Sequence, residues 1–356
     1  MKIAILGDTH AGVRADSHIY LEYQQKFFEN VFFPTLEDRG VDFHIQMGDL
    51  MDKRQSANFY TVNRFRNMYF EEIKRRGMRG MTLIGNHDIY WRQNTEVNSW
   101  VELFQDRYSD FYEGVVEPKT IELDGAQVDI IPWICNENRD RVMKFISDSK
   151  SDYLFGHLEL TGFPMLRGVV SDHGDNPHIF SKYKQVFSGH YHTYSERDNI
   201  MFTGTPYELT WADCGDTKYF FIFDTVTGSV EKIENPYRLF HKIIYNDDEM
   251  NYDKFNLSSY LHSYIRVIVQ SRDNEKMFDR FMKRVHDEAE PVDVQVTDIT
   301  VAYREVDIDS VETQDPLQVM VKAVDDNTGL DEKMKTLIRR EVLTLHTEAL
   351  SEEVTS

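Results

Sequence analysis

Five segments of the chain place metal-binding side chains directly after a short apolar run and a glycine. These segments are KIAILGDTH (2–10), DFHIQMGDLMD (42–52), MTLIGNHD (81–88), SDYLFGHLEL (151–160) and KQVFSGHYH (184–192). Apolar runs of this length that end at glycine are typical of buried strands, and ligand sites in open α/β sheets lie beyond the carboxyl ends of the strands. We therefore expect one rim to collect the polar residues of all five segments: Asp8, His10, Asp49, Asn86, His157, His190 and His192.

This set of residues indicates a site for two divalent metal ions. Two aspartates, one asparagine carbonyl and four imidazoles form a mixed oxygen and nitrogen ligand set, in which Asp49 is the natural bridge. Manganese is the first choice, and magnesium, iron and zinc are alternatives. Two ions about 3.5–4 Å apart activate a water and neutralise charge on a phosphoryl group during in-line displacement. Taken alone, His190 and His192 could be two polar residues in a turn, but the other four segments favour a ligand pair.

The segments between these strands predict a mixed α/β fold. Apolar residues recur at helical spacing over 19–32, and a second helix is predicted from an N-cap at Ser56 to a C-cap at Gly77. Further along, residues 120–133 and 218–233 have the pattern of β-hairpins. The sequence therefore predicts a pair of mixed sheets flanked by helices.

The composition is that of a cytoplasmic, globular chain without a membrane span. The 356 residues include two cysteines, too few and too widely separated for a disulfide framework or a thiolate zinc site. The net charge of −21 opposes nucleic-acid binding through the overall field. The first hundred residues are neutral, however, and their basic segments contain Arg54, Arg64 and Arg66. These arginines belong either to a solvated helix face or to a DNA-binding patch.

The five motifs, G-D-x-H, G-D-x-x-D, G-N-H-D, G-H and G-H-x-H in this order, resemble the calcineurin-like metallophosphoesterase superfamily. Within it, DIIPWICNEN (129–138), FGHLELTGF (155–163) and GTPYELTWAD (204–213) resemble the SbcD-type nuclease subunits of double-strand-break repair complexes. The chain is most similar to the small recombination-endonuclease subunits of T-even-like bacteriophages. This resemblance implies a four-layer α/β/β/α sandwich, followed by a small α+β capping domain and a C-terminal helical pair.

The resemblance also implies a role for each site residue. Asp8, His10 and His192 would hold one metal, Asn86, His157 and His190 the other, and Asp49 would bridge them. His87 would protonate the leaving oxygen or stabilise charge in the transition state, and Asp52 would orient His87 through a carboxylate–imidazole hydrogen bond. Some relatives carry a histidine in place of Asp52.

The domain boundaries follow changes in composition along the chain. With the roles that the resemblance implies, we predict a nuclease domain over 1–235, a capping and DNA-binding domain over 236–306, an acidic linker over 307–315 and a helical ATPase-binding segment over 316–356. The capping domain, which contains a β-α-β pattern, either helps to select DNA ends or simply covers one side of the core.

Three functions are consistent with these motifs. The first is a manganese-dependent DNA exonuclease and endonuclease that acts with an SbcC-type SMC-like ATPase, as a homodimer within a heterotetramer, in the host cytoplasm if a phage encodes it. The second is a phosphodiesterase or phosphatase on a non-DNA substrate, which would share every metal ligand. The third is a scaffold with a structural metal. The long extension after the last motif favours the first over the second, and the intact ligand set with His87 disfavours the third.

Overall fold

The computed structural model describes residues 1–166, 168–298, 320, 322–325 and 334–335. The chain divides into two compact units, Met1–Tyr237 and Arg238–Ser356. The predicted acidic linker (307–315), the end of the predicted capping domain (299–306) and most of the predicted helical segment (316–356) lie outside the described residues. The functional assignment of the individual domains stays a prediction.

Fourteen strands form the sheets of the first unit within the described residues. They are β1 (Lys2–Leu6), β2 (Phe43–Gln46), β3 (Arg79–Leu83), β4 (Tyr112–Val115), β5 (Lys119–Leu123), β6 (Ala126–Ile131), β7 (Tyr153–His157), β8 (Pro164–Leu166), β9 (Val169–Val170), β10 (Gln185–Gly189), β11 (Ser195–Arg197), β12 (Ile200–Phe202), β13 (Tyr219–Asp224) and β14 (Val230–Glu234). Strands β8 and β9 pair only with each other, and the other twelve form two six-stranded sheets.

Both large sheets are mixed. The first has the order β14-β13-β1-β2-β3-β4, in which β1 to β4 are parallel and β13 is antiparallel to both neighbours. The second has the order β11-β12-β10-β7-β6-β5, in which β12, β10, β7 and β6 are parallel. The predicted hairpins are confirmed as β5–β6 and β13–β14. Asp124 and Gly125 turn the first with φ angles of 53° and 82°, as a two-residue hairpin turn requires.

The two sheets pack face to face over a shared apolar core. Ile3, Ile45 and Leu83 of the first sheet belong to the same buried cluster as Val128 and Phe155 of the second. Residues on the opposite face of the second sheet pack with the helix Arg139–Asp148 in a separate cluster. On the outer side of the first sheet lies a network of aromatic rings contributed largely by two helical segments. This arrangement confirms the predicted four layers.

The helices of the first unit connect these strands. They are α1 (His18–Phe27), α2 (Phe33–Arg39), α3 (Phe59–Phe65), α4 (Glu71–Arg75), α5 (Ser99–Leu103), α6 (Gln105–Tyr108) and α7 (Arg139–Asp148). Short π-helical segments, Phe28–Phe32 and Arg66–Phe70, join α1 to α2 and α3 to α4. A left-handed turn occupies Val13–Asp16, and 3-10 turns occupy Pro177–Phe180 and Trp211–Asp213.

The predicted N-cap at Ser56 is wrong, because the helix begins two residues later. The side chain of Asn58 accepts hydrogen bonds from the backbone N–H groups of Tyr60 and Thr61, at 2.8 and 3.4 Å. Asparagine satisfies the free N–H groups of a first helical turn at least as well as serine does, and Ser56 lies before the start of α3.

The second unit contains a three-stranded parallel sheet covered by one long helix. Strands β15 (Phe240–Asn246), β16 (Tyr264–Ser271) and β17 (Asp293–Asp298) pair in this order, and α8 (Glu275–Ala289) connects β16 to β17. This confirms the predicted β-α-β pattern. Buried side chains from β15, β16 and α8 form a core of their own. Among the described residues, no helix is both long enough and apolar enough to cross a membrane.

Candidate metal centre

The structure brings all seven predicted ligand residues together at one rim. Strands β1, β2 and β3 of the first sheet and β7 and β10 of the second end at this rim. The residues form three overlapping groups in which the nearest ligand atoms lie within 4.8 Å of one another: Asp8, His10 and His192; Asp49, His157 and His190; and His10, Asp49 and His87. Because the last group shares Asp49 with the second and His10 with the first, the groups form one continuous centre.

The first group combines Asp8 with two facing imidazoles. The Nε2 atoms of His10 and His192 lie 3.1 Å apart. Asp8 Oδ2 accepts a hydrogen bond of 2.8 Å from the backbone N–H of His190, whereas Asp8 Oδ1 is buried without a hydrogen-bond partner. A buried carboxylate oxygen without a partner is unfavourable unless a cation or donor meets it. The group therefore has the donor atoms and the unmet negative charge that a divalent cation requires.

The second group is built around Asn86 and Asp49. Asn86 Oδ1 lies 2.8 Å from His190 Nδ1 and 3.0 Å from His157 Nε2. Asp49 Oδ2 lies 3.4 Å from His157 Nε2 and 3.7 Å from His10 Nε2, so it reaches both groups. His157 Nδ1 donates to the carbonyl of Met47 at 2.8 Å. This hydrogen bond fixes the ring and leaves Nε2 available as a ligand.

Burial and charge set the electrostatics of the centre. Burial raises the pKa of Asp8 to about 7, although nearby His157 acts in the opposite direction. Burial would also raise the pKa of Asp49, but its contacts with His157 and His87 hold that pKa well below its usual value. Both carboxylates are at most 1% exposed. Divalent cations would compensate for the unfavourable burial of these charges, so the residues fit the metals that the motifs imply.

Backbone conformation at the rim is unusual for the residue types present. His10, Asp49 and His190 have φ angles of 42°, 51° and 90°, in a region that non-glycine residues rarely occupy and that is often found at functional sites. Gly48 has a φ of 105°, and a Cβ there would lie 2.4 Å from His157 Nδ1. The glycine before Asp49 is therefore required both by the turn and by the close approach of a ligand.

His87 lies beside the ligands and is held through its backbone and its ring. Its backbone N–H donates to Asp49 Oδ1 at 2.6 Å, and its Nδ1 donates to the backbone carbonyl of Asp52 at 2.5 Å. Because a carbonyl can only accept, the proton must lie on Nδ1, which leaves Nε2 free. The ring is 4.8 Å from that of His10 in an edge-on arrangement.

The predicted carboxylate–imidazole hydrogen bond between Asp52 and His87 is not found. The Asp52 carboxylate instead lies 3.3 Å from His10 Nδ1, without the alignment of a hydrogen bond. The physical reason is that the backbone carbonyl of Asp52 already accepts the His87 Nδ1 proton, which leaves the carboxylate no donor on that side of the ring.

The three predicted DNA-binding arginines have different surroundings. Arg54 is near enough to Asp49 and Arg92 to interact with their charges, and no ion pair of Arg54 is found among the described residues. Arg64 donates to Gln25 and Tyr60. Arg66 donates to the carbonyl of Leu103 and packs over Phe104. No contact of Arg64 or Arg66 with the metal centre is found in the described part of the chain.

Asp88 supports the centre although the sequence analysis did not single it out. Its buried carboxylate accepts hydrogen bonds from the backbone N–H groups of Leu50 and Gly85, at 3.0 and 2.9 Å, and from Ser99 Oγ at 2.6 Å. It therefore ties the loop after Asp49 to the loop that contains Asn86 and His87. In the sequence, the one feature that points to Asp88 is its position as the last residue of the G-N-H-D motif.

A buried ion pair supports the loop that contains His192. Lys218 Nζ lies 2.5 Å from Asp213 Oδ1, and both side chains are almost completely buried. Lys218 Nζ also donates to the carbonyl of His192 at 3.0 Å, as does the backbone N–H of Thr205 at 3.1 Å. No local pattern in the sequence pointed to this pair, because the residues meet only through the fold.

Comparison with known proteins agrees with this geometry. The family model of the calcineurin-like phosphoesterases matches residues 1–194, and the chain belongs to this family of metal-dependent phosphoester hydrolases. The chain is also 33% identical over 290 residues to exonuclease subunit 1 of Enterobacteria phage T4, a match that covers 80% of this chain and 82% of the phage protein. The predicted resemblance to a T-even phage nuclease subunit is thus confirmed.

Two solved structures also match this chain, both at low sequence identity. An archaeal phosphodiesterase is 14% identical with a TM-score of 0.34, over 66% of this chain and 100% of that chain. A dimetal phosphatase from Danio rerio is 9% identical with a TM-score of 0.37, over 62% of this chain and 91% of that chain. Neither similarity bears on the substrate of this chain.

Proposed function

We propose that this chain is a manganese-dependent DNA nuclease that hydrolyses phosphodiester bonds with two metal ions, as a double-strand exonuclease and a single-strand endonuclease. The observation that carries the proposal is the position of Asp49, which reaches the ligand atoms of both groups while its other oxygen accepts the backbone N–H of His87. The name of the phage T4 relative, exonuclease subunit 1, favours DNA among the phosphodiesters.

These contacts support the roles that we propose for the residues. Asp8, His10 and His192 would hold one ion, Asn86, His157 and His190 the other, and Asp49 would belong to both. When bound, two divalent ions supply water activation and charge neutralisation. His87 donates to the Asp52 carbonyl through Nδ1, so only the doubly protonated ring, with a second proton on Nε2, would donate that proton to the leaving oxygen or stabilise charge there. The hydrogen bond from the backbone N–H of His87 to Asp49 holds the loop that contains His87 against this predicted ligand.

A substrate panel tests this proposal directly. The purified protein is offered linear duplex DNA, single-stranded circles, bis(p-nitrophenyl) phosphate and p-nitrophenyl phosphate, with manganese, magnesium, iron or zinc in parallel. We expect cleavage of both DNA substrates and the highest rate with manganese. Hydrolysis of the small esters without any cleavage of DNA would instead support a phosphodiesterase or phosphatase on another substrate.

We further propose that the nuclease works with an SMC-like ATPase of the SbcC type in DNA break processing, recombination and replication, in the host cytoplasm if a phage encodes it. The support is the phage relative, whose name describes a subunit. The docking segment proposed for the ATPase is 316–356, most of which lies outside the described residues. Truncation after Asp315 should abolish co-purification with the ATPase and leave cleavage of single-stranded DNA intact. Undiminished complex formation would place the docking site elsewhere.

The proposed assembly is a homodimer within a heterotetramer. The start of α3 supports a self-association surface, because the side chain of Phe59 is 93% exposed and that of Tyr60 42% exposed. Aromatic side chains with this exposure are common where a partner covers them. Sedimentation at micromolar concentration should give a dimer, and Phe59→Ser should shift it toward monomer. A wild-type monomer under these conditions would contradict the dimer.

A further inference from the structure

A cavity of about 250 Å³ adjoins the metal centre on the side of the second sheet. His157, a predicted ligand, forms part of its wall, and Trp133 and Glu159 form other parts. The cavity and the metal centre therefore share a side chain. The cavity therefore lies directly beside a predicted ligand.

Trp133 is a rigid wall of this cavity. Its backbone N–H donates to the carbonyl of Ile84 at 2.7 Å, and its carbonyl accepts from Asn138 Nδ2 at 2.9 Å. Its ring lies 4.9 Å from that of His190 and 5.8 Å from that of His157. Because Ile84 directly precedes the G-N-H-D loop, the indole is tied to the strand end that carries Asn86. An aromatic face is thus held at a set distance from the ligands.

The opposite wall depends on a glycine. The backbone N–H of Asp175 donates to the carbonyl of Glu159 at 2.8 Å. Gly174, with a φ of 97°, lies so close that a Cβ there would be 2.3 Å from the Glu159 carbonyl oxygen. Any side chain at this position would have to push the wall aside, so the shape of the cavity depends on Gly174.

The charges that line the cavity do not suit a phosphate. Arg139 forms an ion pair with Asp175, so the two carboxylates of the lining outnumber its one guanidinium. Among the described residues, the carboxylate of Glu159 takes part in no ion pair or side-chain hydrogen bond. The lining thus offers the indole of Trp133 beside the imidazole of His157, and the carboxylate of Glu159 as an acceptor. Ile134 and Leu158 add a smaller apolar part. This combination suits a flat heterocycle with an amino group rather than an anion.

We propose that this cavity binds one unpaired nucleobase, that of the nucleotide whose phosphate lies at the metal centre. The base stacks on Trp133, and an exocyclic amino group of cytosine or adenine donates to Glu159. This inference rests on the proposed nuclease function and adds a requirement to it. A base that enters the cavity leaves its pairing partner, so a duplex end must open by one step before cleavage, as in enzymes that take a base out of the stack.

Binding measurements test the cavity without any turnover. Isothermal titration calorimetry with the manganese-loaded protein compares 2′-deoxycytidine 5′-monophosphate with 2′-deoxyribose 5-phosphate, which lacks the base. We expect the nucleotide to bind tighter by about tenfold or more, the usual contribution of stacking on an aromatic side chain. Trp133→Ala should remove this difference and leave the affinity for the sugar phosphate and the manganese content unchanged.

Two further variants change residues that make no ring contact with His157 or His190. Gly174→Ala should reduce the same difference in affinity because the wall is displaced, although Trp133 remains. Trp91→Ala is the matched control, since Trp91 is an exposed tryptophan that does not line the cavity. It should leave the difference unchanged.

The outcomes separate the cavity from the proposed function. Equal affinity of the wild type for the nucleotide and the sugar phosphate would overturn the cavity proposal, even if DNA is cleaved. A loss of manganese, or an equal loss of affinity for both ligands, in Trp133→Ala would show that the ring only supports the histidines, and would also overturn it. Base-dependent binding without cleavage of any DNA would uphold the cavity and refute the nuclease.

Discussion

Asp49 is the residue on which both ligand groups depend. Asp49→Asn removes a negative charge from a side chain that is 2% exposed and lies beside His10 and His157. We expect hydrolysis of bis(p-nitrophenyl) phosphate to be nearly abolished and the bound metal, measured by elemental analysis, to fall. Asp152→Asn, at an exposed ion pair with Lys184, is the control and should behave as wild type. Retained activity in Asp49→Asn would refute a two-metal mechanism.

His87 should affect the chemistry and not the metal content. In His87→Ser, the seven predicted ligands are intact, so two metals should remain bound by elemental analysis. The rate should fall by about 10²–10⁴-fold, the usual contribution of a general acid. Loss of a metal in this variant would instead make His87 a ligand.

Asp52→Asn tests whether the carboxylate of Asp52 is needed to hold His87. The backbone carbonyl of Asp52, not its carboxylate, holds His87 Nδ1, and the substitution keeps that carbonyl. The loss of rate should therefore be smaller than in His87→Ser. An equal loss in the two variants, with the metal content of Asp52→Asn unchanged by elemental analysis, would show that the carboxylate orients the histidine.

At the scale of elements, the start of α3 provides a test of helix capping. Asn58→Ala removes the side-chain acceptor of two backbone N–H groups and should lower the free energy of unfolding by about 1 kcal/mol in urea denaturation. Ser56→Ala, at the position that the sequence pattern favoured, is the matched control and should change it little. Comparable effects of the two substitutions would mean that the helix starts earlier in solution.

The ion pair under the His192 loop can be dissected in the same way. Lys218→Met leaves Asp213 buried and unpaired, which should destabilise the protein by about 3–5 kcal/mol, and removes the donor to the His192 carbonyl. The double variant Lys218→Met/Asp213→Asn should recover most of the stability in thermal unfolding. Its metal affinity should stay reduced, because the donor to His192 is still absent. Full recovery of metal affinity would limit the pair to a purely structural role.

At the scale of the whole molecule, the two units have separate cores. The first unit contains all seven predicted ligands, and its last residue accepts a hydrogen bond of 2.8 Å from Tyr23 through its carbonyl. A fragment of residues 1–237 should therefore fold, bind two metals and hydrolyse bis(p-nitrophenyl) phosphate at a rate close to that of the full chain. Circular dichroism and elemental analysis check the fold and the metals. A fragment that folds but binds no metal would show that the second unit is needed to form the centre.

The predicted ligand residues, which the structure brings together, and the layered fold could both be recognised in the sequence. Both depend on local order: an apolar run forms a strand, glycine permits the turn at its end, and the next residue is placed at the sheet rim. His190 and Asp49 could be assigned to one rim for this reason, even though their strands belong to different sheets. The two hairpins were equally predictable, since turn residues lay between their strands.

The contacts between residues across the metal centre depend on the tertiary structure and could not be predicted from the sequence. The carbonyl of Asp52 rather than its carboxylate binds His87, Asp88 joins two loops, and Lys218 reaches the His192 carbonyl from a distant strand. The cavity beside Trp133 likewise arises where three separate segments meet. These contacts join residues that are far apart in the chain, and their geometry depends on the packing of two sheets. No spacing pattern in a single sequence contains that information.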